Sequence, residues 1–393
     1  MKVSGHLAGL VSFRMADHIA AGHNALAHLV PLLKEQGEFR SAAVVAQPSL
    51  KAMGVTDQIV GELKRAGISG RCVTTVKPEP TIGNIREALA DLMSEPVDVL
   101  IGIGGGSVLD ATKLFSVLMT NEADIADLLG TDRVAKPGIP TVLIPTTSGT
   151  GSEVTPNAIV TVPEEQLKVA VVSRHLLPRL VILDPVLTVS LPQHITAATG
   201  MDAFTHALES YISNKANPIS DMYALESIRL ISGSLTEAYR TGTNLEARES
   251  MLLGSMFGGM ALTAAGTAAV HALAYPLGGQ FGITHGVANA MLLPHVMAWN
   301  LDAVADRLAV VAEAMGLPAG TGRPGAGGEA VIERIFEWTK ELSIPQSLRS
   351  YGVGEHDVDD LAHAAAKVTR LLNNNPKKME LEDMKAVYRK LLP

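Results

Sequence analysis

Short apolar runs rich in β-branched residues recur through the first half of the chain and stop at Asp184-Pro185. They are residues 42–46 (AAVVA), 72–76 (CVTTV), 97–103 (VDVLIGI), 141–144 (TVLI) and 180–183 (LVIL). A strand with one wet face alternates polar and apolar residues, whereas these runs are nearly continuous, as expected of strands covered on both faces. Amphipathic stretches such as 85–93 (IREALADLM) separate them, so the pattern predicts an α/β layer with a mostly parallel sheet. Past residue 185 Ala, Leu and Met dominate, and 221–236, 245–265, 302–314 and 329–342 carry helical spacing with little strand signal. The chain is therefore expected to divide into an α/β domain over 1–187 and an all-α helical domain over 188–393. Ser190-Leu191-Pro192 leads into the first helix of the second domain, and the Gly/Pro cluster at 318–328 reads as a loop between helices.

A length of 393 residues suits two domains, and the single Cys72 argues against a disulfide scaffold or a zinc ribbon. With 32 Lys+Arg against 40 Asp+Glu and no basic tract, the chain lacks the electrostatic footprint of a nucleic-acid or membrane-surface binder. The N-terminus has no sustained apolar core with a cleavage site, and no stretch of about 20 residues avoids polar groups. The expectation is a soluble, cytoplasmic protein that acts on small molecules.

Two polar loops follow predicted strands. Gly104-Gly105-Gly106-Ser107 comes after 97–103 and before the amphipathic stretch 108–119, and Ser107 with Asp110 has the S-x-x-D spacing of a capping box. Glycines at a helix start let the backbone approach a ligand, and the free N–H groups there suit a pyrophosphate. The same glycines also suit a tight turn, and the run is neither G-x-G-x-x-G nor a P-loop. The second loop, 145–153 (PTTSGTGSE), packs five hydroxyls into nine residues after strand 141–144. Both should lie at the carboxyl edge of the sheet, where α/β proteins bind nucleotides.

In the second half, Asp202 and His206 stand four residues apart in TGMDAFTHALE, which puts both on one helix face. Such a pair makes either a hydrogen bond or half of a metal site. His271 and His285 lie in apolar sequence, where an imidazole is either a satisfied core group or a ligand. Together the four would offer three nitrogens and one oxygen, a set suited to Fe²⁺ or Zn²⁺ rather than Mg²⁺ or Ca²⁺. An ion so held would act as a Lewis acid on a carbonyl or an alcohol.

The segments GGGSVLDATK, PTTSGTGSEVT, GMDAFTHALE and VHALAYPLGGQFGITHGVANAMLLPHV occur in the same order as in the iron-containing (group III) alcohol dehydrogenases. The chain resembles that family from about residue 10 through Asn375-Pro376-Lys377 to its end. The resemblance implies an N-terminal α/β dinucleotide-binding domain, a helical C-terminal domain and an active site in the cleft between them. It implies Asp202, His206, His271 and His285 as metal ligands, and Gly104, Gly105, Gly106 and Ser107 at the cofactor diphosphate with Asp110 opening the next helix. Thr146, Thr147 and Thr150 would border the adenine and ribose, and Asn157 and Lys168 the nicotinamide half. The implied reaction is reversible hydride transfer between NAD or NADP and a small alcohol or aldehyde, in a homodimer or larger assembly. Maleylacetate reductases and dehydroquinate synthases, which share the fold, are the alternative activities.

Three positions depart from the family pattern. Gln47 stands where NAD-preferring members often have Asp, which leaves NADP open as a cofactor. Pro78-Glu79-Pro80 replaces Pro-Asn-Pro and puts a carboxylate near the cofactor. Tyr275 stands four residues after His271, where many alcohol-oxidising members have a second His, so Tyr275 becomes the candidate for proton relay.

Overall fold

The computed structural model describes residues 10–165, 167–317 and 325–393. The described residues pack as two compact units, one of Arg14–Thr147 with Ser152–Thr188, the other of Val189–Pro393 with Ser148–Gly151 and residues 10–13.

The first unit is built on β1 (His18–Ala21), β2 (Ser41–Ala46), β3 (Ser69–Val73), β4 (Val99–Gly104), β5 (Gly130–Thr131), β6 (Thr141–Pro145), β7 (Asn157–Val162), β8 (Leu167–Val172) and β9 (Leu180–Leu183). Its helices are α1 (Leu29–Gln36), α2 (Pro48–Ala52), α3 (Val55–Arg65), α4 (Ile82–Leu92), α5 (Gly106–Leu118) and α6 (Ile125–Leu128). Six strands form a sheet in the order β1-β9-β6-β4-β2-β3, with every pairing parallel. The continuous runs explain the arrangement: Val99, Leu100, Ile101 and Ile103 are all fully buried, with helices available for both faces. From β2 the chain goes outward to β3 and then crosses back to β4 on the other side of β2, so the carboxyl ends of β2 and β4 flank a topological switch point.

Three differences from the sequence reading have local causes. The third strand is Ser69–Val73 and not 72–76, because its register with β2 ends at Val45↔Val73. Beyond it the Asn84 side chain takes over, donating to Thr75 O at 3.0 Å and accepting from Lys77 N at 2.9 Å. β1 is only four residues long, too short for its period to stand out. The antiparallel β7–β8 pair forms a separate sheet with β5, and β7 alternates half-buried and buried residues as a one-sided strand does.

The second unit is helical: α7 (Gln193–Ile212), α8 (Pro218–Arg240), α9 (Leu245–Ala265), α10 (Ala269–Phe281), α11 (His285–Ala314), α12 (Ala326–Glu341), α13 (Val358–Ala366), α14 (Thr369–Leu372) and α15 (Leu381–Arg389). Asn217 caps α8 through the N–H groups of Ile219 and Ser220, with Pro218 in the first turn. Asn244 caps α9, which ends at Gly266 in the left-handed region. The predicted 302–314 helix is the distal part of α11, which bends at Val304. Most of the predicted loop at 318–328 lies outside the described residues, and its last three residues already belong to α12.

Ser148–Gly151 belongs with the helices because its glycines permit close approach. A Cβ on Gly149 would lie 2.7 Å from Thr199 Cβ, and one on Gly151 2.6 Å from the Gly259 backbone. Any larger residue at either place would push the segment off α7 or α9.

Candidate metal centre and phosphate cradle

In the helical unit α7 carries Asp202 and His206 one turn apart, α10 carries His271 in its first turn, and α11 opens on His285. One ligand atom from each of the four lies within 4.8 Å of the others. Asp202 Oδ1 is 3.9 Å from His206 Nε2, 3.8 Å from His271 Nε2 and 3.6 Å from His285 Nε2. Atoms that share one ion at about 2.1 Å stand at roughly such separations. Asp202, His206 and His271 are buried, whereas the His285 side chain keeps 27% of its surface exposed, which leaves one face of the cluster open.

Backbone and carboxylate acceptors fix the rings. Glu209 Oε2 sits 2.6 Å from His271 Nδ1 and 2.9 Å from Ala268 N, and Glu209 Oε1 accepts from Val270 N at 2.6 Å. This wholly buried carboxylate thus caps the start of α10 and holds the proton on His271 Nδ1, so the Nε2 lone pair faces Asp202. Gly149 O, 3.2 Å from His206 Nδ1, does the same for the second ring. Burial pushes the Asp202 carboxyl up, but His206, His285, His271 and the Asn289 amide outweigh it and hold it below the usual carboxylate range. Burial also pushes His206 down, partly opposed by Asp202, so its neutral, ligating form is favoured.

This donor set suits a divalent cation. Four ligand atoms converge, two of the rings are turned lone pair inward, and a single amide, that of Asn289, reaches Asp202 Oδ1, His271 Nε2 and His285 Nε2. Sequence reasoning missed both Glu209 and Asn289. Glu209 lies three residues after His206 and Asn289 four after His285, spacings that would have put each on its ligand's helix face. The Tyr275 ring is 6.0 Å from that of His285 and nearly buried.

In the α/β unit α5 begins at Gly106, and no side chain caps it. The predicted capping box does not form. Ser107 Oγ instead accepts from Glu79 N at 3.1 Å, and Asp110 turns inward to accept from Ile159 N at 3.0 Å and from the Ser152 hydroxyl. The first-turn N–H groups are therefore left without a side-chain acceptor, which is what a phosphate needs. A Cβ on Gly104 would fall 2.9 Å from Val108 Cβ, so a larger residue would displace the turn. Thr147 lies against Gly105, and Thr146 Oγ1 is buried with no partner among the described residues. Gln47 follows β2 at the switch point, where its amide donates to Ser49 Oγ at 3.1 Å. Thr150 falls in the segment that packs with the helical unit.

Lys168 Nζ is 2.7 Å from Glu79 Oε1, so the departure at Glu79 is answered by an ion pair beside Ser107. Glu79 adopts φ +49, and Thr161 N fixes the following Pro80 carbonyl at 2.9 Å. Asn157 opens β7, and its carbonyl accepts from the fully buried Lys113.

Glu153, next to this loop, is wholly buried, and burial pushes its carboxyl up to about 7. The folded chain keeps it neutral where the unfolded chain ionises it, so its contribution is fully present below about pH 4.5 and is lost as pH rises to about 7. Glu153→Gln removes that loss. Its thermal stability should gain on the wild type across this window, by on the order of 3 kcal/mol at the upper end, and a difference that stays flat with pH would contradict it.

The iron-containing alcohol dehydrogenase profile matches residues 16–185, and the profile of that family's C-terminal part matches 196–392. The chain belongs to the iron-containing alcohol dehydrogenase family. It is 40% identical over 381 residues to long-chain-alcohol dehydrogenase 1 of Geobacillus thermodenitrificans, covering 96% of this chain and 95% of the relative. It is 37% identical over 385 residues to 1,3-propanediol dehydrogenase of Klebsiella pneumoniae, covering 96% and 99%. A crystal structure of 1,3-propanediol oxidoreductase matches with a TM-score of 0.93 at 36% identity, covering 98% of this chain and 100% of the other. Sulfoacetaldehyde reductase from Bifidobacterium kashiwanohense, solved with NAD+, matches with a TM-score of 0.86 at 26% identity, covering 98% and 99%. The protein is an oxidoreductase acting on the CH–OH group of its donors.

Proposed function

We propose that Asp202, His206, His271 and His285 hold one Fe²⁺ or Zn²⁺ ion and that the chain transfers hydride between a nicotinamide dinucleotide and a small alcohol or aldehyde. The observation that carries this reading is the convergence of one carboxylate and three imidazoles, with His271 turned lone pair inward by Glu209. A divalent ion there supplies Lewis-acid polarisation of a C–O bond. The open side at His285 is the approach for substrate, and the nearly buried Tyr275 beside it is our candidate for passing the substrate proton to water.

The cofactor diphosphate is assigned to the first turn of α5, with Gly104, Gly105, Gly106 and Ser107 allowing close approach and Thr146 Oγ1 gaining the partner it lacks. Gln47, a neutral amide, accepts a ribose hydroxyl without repelling a 2′-phosphate, so the cofactor is NAD with NADP left open. Relatives named for long-chain alcohols, 1,3-propanediol and lactaldehyde point to an uncharged alcohol or aldehyde as substrate. Anaerobic steady-state turnover with NAD and NADP in parallel, against short alcohols, diols and aldehydes, tests the reading. Turnover with NAD is expected, the NADP arm shows whether Gln47 relaxes the choice, and a protein that binds nucleotide and metal but reacts with nothing in the panel would overturn it.

A further inference from the structure

Three acceptors of the cluster converge on one further side chain. Asn289 Nδ2 lies 2.7 Å from Asp202 Oδ1 and 3.2 Å from the Nε2 atoms of both His271 and His285. An amide NH₂ has two hydrogens and cannot satisfy three acceptors at once. The side chain is fully buried, and its Oδ1 has no partner among the described residues. Such a group is costly to keep unless its donor end is needed where it stands. With the imidazole lone pairs committed to a cation, the amide keeps one donor bond, to Asp202. α11 supplies His285 and Asn289 one turn apart, so the ligand and the amide that braces its neighbour move as one rigid element.

Resting on the metal reading above, we infer that Asn289 is a positioning residue of the metal centre. Its amide braces Asp202 and shares its second hydrogen between the His271 and His285 rings while the site is empty, and orients the Asp202 carboxylate once the site is filled. The account sets the sign of two substitutions. Asn289→Leu keeps the branched heavy-atom outline and removes the donor, so the carboxylate and the two rings lose their common tether. Asn289→Asp keeps the size but puts a second carboxylate against Asp202, which destabilises the metal-free protein and draws a cation more strongly.

The test is Co²⁺ binding to metal-stripped full-length protein, read by the d–d absorption spectrum and by competition with a chelator, with thermal midpoints measured with and without the metal. Asn289→Leu is expected to weaken Co²⁺ binding by about 10- to 100-fold and to change the d–d bands. Asn289→Asp is expected to lower the midpoint of the metal-free protein while enlarging the upward shift that Co²⁺ produces, and the Leu variant, which adds no charge, tests the amide itself. Should the Leu variant fail to fold, Asn289→Ala takes its place with the same expected weakening. Wild-type affinity and spectrum in the Leu variant, or a metal-induced shift in the Asp variant no larger than in the wild type, would overturn the inference. Wild-type protein that takes up no Co²⁺, or a His271→Ala variant that keeps it, would overturn the metal reading itself.

Discussion

His271→Ala leaves a folded chain that retains no divalent metal and oxidises alcohols at least about 10³-fold more slowly than the wild type. The fold survives because the cap of α10 does not depend on the ring. Glu209 still accepts from Ala268 N and Val270 N after the imidazole is gone. What disappears is one of the two nitrogens whose tautomer the structure fixes, and with it the Glu209 brace on the ligand set. The phosphate cradle belongs to the other compact unit, so ADP-ribose binding should stay within about 2-fold of wild type, since no group that meets a phosphate has been altered. Metal analysis after gel filtration, circular dichroism and turnover check the three parts. A variant that keeps one ion per chain and wild-type turnover would contradict the ligand assignment.

Lys113→Met lowers stability by about 3 to 5 kcal/mol, the cost of leaving a buried charge without its partner. Lys113 is fully buried in α5, where its ammonium lies 3.1 Å from Asp110 Oδ1 and donates to the carbonyls of Ser152 at 2.8 Å, Thr155 at 3.3 Å and Asn157. Burial pushes the Lys113 ammonium down, and Asp110 opposes that shift. Removing it takes the counter-charge from the Asp110 carboxylate, which keeps its bonds from Ile159 N and the Ser152 hydroxyl, and takes the tether from the 152–157 segment that leads into β7. The double variant Lys113→Met, Asp110→Asn should therefore cost less than the two single changes added together. Urea unfolding of the four proteins reads this directly. A single change worth under about 0.5 kcal/mol, the range of an ordinary surface substitution, would contradict the network.

The elements most legible in the sequence were those whose pattern is long or repeated. Nearly continuous runs such as 97–103 announced strands buried on both faces, and the i, i+4 pair Asp202 and His206 fell on one helix face as its spacing required. Bringing α10 and α11 beside that face is a tertiary event: residue types alone offered His271 and His285 as either core groups or ligands, and the family resemblance pointed to ligands. Glu209 was passed over because an acidic residue in a helix ordinarily faces water, and only packing shows it wholly buried against the start of α10. Asn289 was hidden in the same way, one turn beyond His285. The Ser107 and Asp110 spacing misled because α5 starts at Gly106 and leaves the serine inside its first turn, where the Glu79 N–H takes the hydroxyl and Asp110 serves β7 instead. The β7–β8 pair escaped notice because its one-sided alternation was set among runs read as two-sided strands.

The central claim is that the four converging groups hold the ion on which turnover depends. The most direct measurement strips the anaerobically purified protein with a chelator, then follows alcohol oxidation with NAD as Fe²⁺ or Zn²⁺ is added back in known amounts. The account predicts no turnover in the stripped protein and recovery that saturates at one ion per chain. Stripped protein that turns over at the original rate would contradict it.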